Sequence, residues 1–103
     1  MGRGKAIELS ILSIARNDLK EIRLYLSEYG ESPPKKFRDS FQKFCTQIIN
    51  MPNMYSQYEY KQDYRKSVIV YDYLVFYKVD ESKGKVMVYR VLHGKRNTKP
   101  LLD

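Results

Sequence analysis

Residues 64–102 read YRKSVIVYDYLVFYKVDESKGKVMVYRVLHGKRNTKPLL, and this stretch decides the fold. Three short runs rich in Val, Ile, Tyr and Phe follow one another, which is the pattern of successive β-strands. They span residues 64–70, 73–79 and 85–93, broken around Tyr71–Asp72–Tyr73 and by a polar loop over 80–84. Connections this short join antiparallel neighbours, so the segment predicts a three-stranded meander. The last run ends among the cations Arg90, Lys95, Arg96 and Lys99, with His93 between them. A sheet that delivers positive charge to one corner is suited to an anionic partner.

Upstream, residues 6–12 alternate, with Ile7, Leu9 and Ile11 on one face and Glu8 and Ser10 on the other, which predicts a half-buried strand. Ser13 is placed to cap a helix over 14–29. There Ala15, Leu19, Ile22, Leu26 and Tyr29 recur at helical spacing as one apolar stripe. Gly30 stops it. Ser32 and Pro33–Pro34 open a second helix, since Pro is tolerated in a first turn. That helix runs to residue 50 with Phe37, Phe41, Phe44 and Ile48 on its stripe, widened by Cys45 and Ile49. Core packing explains the Phe stripe better than a ligand slot does. Residues 53–63 read as an irregular polar connection. The order β-α-α-β-β-β predicts one α+β domain over 1–103, with a helical hairpin on one face of a four-stranded, mainly antiparallel sheet.

The third run is apolar on both faces, with Leu74 and Phe76 on one side and Tyr73, Val75, Tyr77 and Val79 on the other. The last run alternates Val86, Val88, Arg90 and Leu92 against Met87, Tyr89, Val91 and His93. Two helices cover only one sheet face, so the second must be covered by something else. A second copy of the chain or a partner peptide would serve.

Composition narrows the classes. The formal charge is +7, yet residues 1–32 balance at five basic and five acidic side chains, so the whole excess lies in 33–103. Such polarity favours an acidic protein or nucleic acid as partner. The single Cys45 forms no internal disulfide, and a reducing cytoplasm is the expected compartment. The N-terminal stretch is interrupted by Glu8, Ser10 and Ser13, which argues against a secretory leader; Ala6 disfavours myristoylation of Gly2. No membrane span is expected. One His and one Cys make no metal cluster, and no phosphate-binding glycine loop is present, so neither metal nor cofactor is expected.

Phosphodiester chemistry on RNA is the catalysis the residues could perform. Arg65, Arg90 and Arg96 could stabilise phosphorane charge, and His93 or Glu59 could move protons. A strand-end His bonded to backbone is the plainer reading of His93.

The element order, the Leu19–Ile22–Leu26 helix, and the segments YRKSVIVYDYLVFYKVD and VYRVLHGKR resemble the ParE/RelE toxin superfamily over nearly the whole chain. The resemblance implies a toxin of a type II toxin–antitoxin pair, held inactive by an acidic antitoxin segment; the sequence leaves a homodimer and a hetero-oligomer with the antitoxin both open. RelE-like members cut mRNA in the ribosome with several basic residues and often a C-terminal Tyr; ParE-like members poison DNA gyrase. The RVLHGKR ending looks nearer to ParE, which implies gyrase inhibition without catalysis. On that reading the antitoxin- or target-binding residues are Arg65, Tyr77, Tyr89, Arg90, His93, Lys95, Arg96 and Lys99. On the ribonuclease reading the catalytic set is Glu59, Lys61, Arg65, Arg90, His93 and Arg96.

Overall fold

A computed structural model of the chain describes residues 7–96 and 98–102, and of Lys99 only the backbone. Strand β1 (Glu8–Ile11) leads into helix α1 (Ser13–Ser27) and helix α2 (Ser32–Asn50). Strands β2 (Gln57–Tyr58), β3 (Lys61–Ile69), β4 (Tyr73–Asp80) and β5 (Lys85–His93) follow, and a short 3₁₀ turn spans Lys99–Leu102. The sheet order is β1-β5-β4-β3-β2, with β1 parallel to β5 and the other pairs antiparallel. The predicted α+β architecture is therefore present, with one strand more than expected.

The extra strand lies in the stretch read as an irregular connection. Gln57 pairs with Arg65 and Tyr58 with Lys61, across a register shift between the two. Two paired residues leave no periodic signal, and β3 begins at Lys61 rather than at 64. The expected first residue of β1, Ala6, lies outside the described residues.

Helix starts also differ in detail. Ser13 is the first helical residue rather than a cap; Leu12 precedes it in extended conformation, and no side chain caps the turn. Pro33 sits in the first turn of α2 as expected. Gly30 adopts φ +114°, a backbone state that side chains resist, and it turns the chain between the helices. Tyr29 lies beyond α1 and is 66% exposed, so the buried stripe ends at Leu26.

Both helices pack on the sheet face that carries Tyr73, Val75, Tyr77, Val86, Val88 and Val91. The simple alternation expected for β5 fails at one point. Phe76 opposes Arg90 while Tyr77 opposes Val88, so Tyr89 is an unopposed extra residue. This bulge moves Val91 onto the same face as Val86 and Val88, and it turns Leu92 to the other side.

That other side is covered by the chain itself, which corrects the expectation of a second copy or a partner peptide. Phe76 (0% exposed) and Leu92 (2%) lie in a second cluster with Tyr58, Tyr64 and Leu102. The C-terminal turn is tied down by hydrogen bonds. The hydroxyls of Tyr58 and Thr98 are 2.9 Å apart, and Tyr64 Oη donates to Leu102 O at 3.1 Å. β2 and the C-terminal turn thus act as the second cover layer.

Cys45 sits partly buried beside the first cluster, and burial pushes its thiol up to about 11. The thiolate is the reactive form, so Cys45 should react with DTNB at pH 8 at least about tenfold more slowly than a free thiol. Reaction at the free-thiol rate would contradict its placement. The sign for stability follows from the raised value: the folded state holds the proton longer than the unfolded chain. The contribution is complete below the ordinary 9.0 and is lost as pH rises toward about 11.

Candidate functional site: a basic corner beside a tyrosine cleft

Strand β5 ends at His93, which opposes Tyr73 at the start of β4. Their rings meet edge to face at 5.1 Å, and His93 Nδ1 accepts the backbone N–H of Lys95 at 3.2 Å. Gly94 donates its N–H to Asp72 O at 2.8 Å. A side chain at Gly94 would bring its Cβ to 3.0 Å from that carbonyl, so any other residue would push the hydrogen-bonded Asp72 carbonyl aside by a few tenths of an ångström. Tyr71 and Asp72 both have φ 61°, a left-handed pair that folds the β3–β4 turn back over the end of β5. Lys95 and Arg96 emerge exposed from this knot.

Two clefts flank the corner on the α1 side. The larger, about 610 Å³, is lined by Tyr25, Tyr29, Tyr71, Tyr73, His93 and Lys95, together with Leu26 and Pro33. Its walls are braced. Tyr25 and Tyr29 meet edge to face at 5.5 Å with hydroxyls 3.2 Å apart, and Tyr73 meets Phe37 at 5.3 Å. The hydrogen bond shared with Tyr25 raises the Tyr29 phenol, and burial raises that of Tyr73. A smaller cleft of about 330 Å³ shares Tyr25, Tyr73 and His93 and adds Glu21 and Arg96.

The expected site residues divide. His93, Lys95 and Arg96 come together at the corner; the Lys99 side chain lies outside the described residues. Arg90 does not join them as a free cation. Its Nε and Nη2 donate to the two carboxylate oxygens of Asp18 at 2.7 and 2.8 Å, and its Nη1 donates to Leu101 O at 3.2 Å. The hydrogen bond to Asp18 raises the Arg90 guanidinium above its ordinary value. Arg65 is similarly occupied, donating from Nη1 to Tyr55 O at 2.6 Å. Tyr77 is 0% exposed and its hydroxyl donates to Pro52 O, so it presents no surface to a partner. Its inclusion among contact residues is corrected by that burial. Tyr89 is half-buried on the second face, where Lys78 Nζ lies 4.8 Å from its ring and 4.7 Å from that of Tyr64.

The set read as a ribonuclease is dispersed. His93 opposes Tyr73 while Arg65 opposes Tyr77, a separation of four residues along β4, or about 13 Å at ~3.3 Å per residue. Lys61 opens β3 four residues beyond Arg65 in the same direction, and Glu59 lies in the turn before it. Neither lies at the His93 corner. Among the described residues, no group of three His, Cys, Asp or Glu side chains is placed to hold a metal ion, and no helix is long and apolar enough to cross a membrane.

Asp18 is the residue that sequence reasoning missed. It is 7% exposed, and Oδ2 accepts the Val91 N–H at 3.0 Å besides bonding Arg90. β1 pairs β5 only as far as Val88, so the β5 edge beyond is bare of a strand partner, and Asp18 takes that place. The signal was present: Ala15, Asp18, Ile22 and Leu26 share one helical face, and a carboxylate on a buried stripe calls for a cation.

Comparison with known proteins covers this whole region. The sequence model for the ParE toxin of the type II toxin–antitoxin system parDE matches residues 9–98. No curated protein sequence gives a significant match. Among solved structures, the chain is similar to one described as the chromosomal ParDE system from P. aeruginosa, at 13% identity and TM-score 0.60, covering 85% of this chain and 96% of that one. It is also similar to the isolated RelE toxin of E. coli, at 18% identity and TM-score 0.66, covering 89% and 88%. The RelBE toxin–antitoxin complex of E. coli gives 18% identity and TM-score 0.66, covering 88% and 100%. At these identities the structural likeness carries the fold.

Proposed function

Because the chain belongs to the ParE toxin family of type II toxin–antitoxin systems, we propose that it is a toxin that works by binding. DNA gyrase is its target and an acidic antitoxin its neutralising partner. One observation carries the preference for binding over cleavage: the residues a ribonuclease would need are apart or already engaged. Arg90 is held by Asp18 and Arg65 by backbone carbonyls, while Glu59 and Lys61 lie away from His93. General acid–base catalysis needs its groups within hydrogen-bond reach of one reacting centre. The antitoxin partner is supported by the family and by the assemblies in which the similar folds occur.

His93→Gln keeps size and hydrogen bonding while removing the imidazole that a general acid or base would need. Toxicity on induced expression should stay within about twofold of wild type, whereas loss of a general acid or base typically costs 10²–10⁴-fold. Purified protein should leave ribosome-bound mRNA whole. Codon-positioned cuts that vanish in His93→Gln would overturn this reading in favour of a RelE-like mRNA endoribonuclease. That second reading has one observation behind it: Lys66 and Lys78 lie over the rings of Tyr58, Tyr64 and Tyr89, a cation–aromatic surface of the kind that stacks single-stranded RNA.

A further inference from the structure

A partner segment that is acidic and carries an apolar anchor needs both a slot and nearby cations. The second sheet face does not offer the slot: Tyr58, Leu101 and Leu102 fill one part of it, and the cleft beside Lys78 and Met87 is lined mostly by polar and charged side chains, with Asp63, Asp80 and Glu81 among them. The tyrosine cleft does. It is open, about 610 Å³, within the range that holds a bound ligand, and predominantly aromatic. Tyr25 is braced against Tyr29 and Tyr73 against His93 before anything binds, so these four rings have little side-chain freedom left to lose on docking.

Charge selects the occupant. Lys95 stands on the cleft wall, no carboxylate lines the cleft, and Arg96 follows in the adjoining one. That second cleft holds two carboxylates. Asp18 is already neutralised by Arg90, and Glu21, which accepts from Asn17 Nδ2 at 3.1 Å, shares the cleft with Arg96. Lys95 is therefore the cation that faces the tyrosine cleft with no carboxylate lining it. A second copy of this chain would bring the same positive corner against itself, which charge repulsion disfavours. Single-stranded nucleic acid would stack on the rings but needs a track of cations along its backbone, and Lys95 and Arg96 are neighbours at one point.

We propose that the Tyr25/Tyr29/Tyr71/Tyr73 cleft is the docking site for an acidic peptide segment of a partner protein. One apolar or aromatic side chain enters between the Tyr25/Tyr29 pair and the β3–β4 turn, and flanking carboxylates meet Lys95 and Arg96. Assigning that segment to the antitoxin rests on the toxin reading above; the binding itself does not.

The test uses the full chain and a random dodecapeptide library displayed on phage. Selection should enrich peptides with one Trp, Phe or Leu flanked by Asp or Glu. The best of them, synthesised with Trp as its anchor, reports binding by its own emission, because the chain contains no Trp. Tyr29→Ala and Lys95→Glu should each weaken that peptide at least about tenfold, as loss of an anchor contact does. Lys83→Glu makes the same charge change in the distant β4–β5 loop and should weaken it less than about twofold, as expected for a remote charge screened by salt. Tyr29 is exposed, so its removal leaves the core intact. Enrichment of peptides without acidic residues, indifference to Tyr29→Ala, equal losses with Lys83→Glu, or displacement by an equimolar oligo-dT would each overturn the site. A non-toxic chain that still binds through this cleft would remove the toxin reading alone. A toxic chain with no such binding would remove the docking site alone.

Discussion

Asp18→Ala should destabilise the fold by about 3–5 kcal/mol, the cost of removing one partner from a buried ion pair. Three donors converge on this one carboxylate: Arg90 Nε, Arg90 Nη2 and the Val91 N–H. Removing it strands a guanidinium whose side chain is only 14% exposed and leaves the upper edge of β5 with an orphaned amide. Urea unfolding followed by circular dichroism measures the loss. Asp18→Asn, which keeps an acceptor but not the charge, should fall between the wild type and Ala. A cost for Ala below about 1 kcal/mol, the scale of an exposed pair, would show that water reaches the guanidinium.

Phe44→Ala is the second large effect, expected near the top of the range for an emptied aromatic site, about 4–5 kcal/mol. Phe44 is 1% exposed and meets three rings: Tyr77 edge to face at 5.5 Å, Tyr55 stacked at 5.9 Å and Phe41 stacked at 6.0 Å. Two of these neighbours are anchored by hydroxyl hydrogen bonds, Tyr77 to Pro52 O and Tyr55 to Gln47 Oε1. The hole therefore collapses poorly, which keeps the cavity cost high. The same unfolding measurement checks it. A loss below about 2 kcal/mol would mean that the neighbouring rings relax into the space, against their anchoring.

These two residues mark where the sequence was legible and where it was not. Phe44 announces itself, because Phe37, Phe41, Phe44 and Ile48 repeat at helical spacing and all four are buried. The strands β3 to β5 were equally readable from their Val, Ile and Tyr content. β2 was not, since a two-residue pairing is created by its partner strand rather than by its own pattern. The bulge at Tyr89 was hidden for a related reason. Alternation along one strand cannot reveal that a residue lacks a partner across the ladder, so Val91 was assigned to the wrong side.

The candidate site was only half legible. The cations at the end of β5 are contiguous in sequence, whereas the tyrosines facing them come from α1, the α1–α2 connection, the β3–β4 turn and β4. Only the fold brings them together. Arg90 misled because its charge is visible in sequence, whereas its pairing with Asp18, 72 residues away, is made only by the fold.

The central claim is that this toxin acts by binding gyrase rather than by cutting mRNA. Induced expression in growing bacteria tests it most directly, with a DNA-damage reporter and amino-acid incorporation followed in the same culture. The account predicts that damage signalling rises first, while protein synthesis continues until growth stops. Immediate collapse of protein synthesis, with no damage signal and codon-positioned breaks in mRNA, would contradict it.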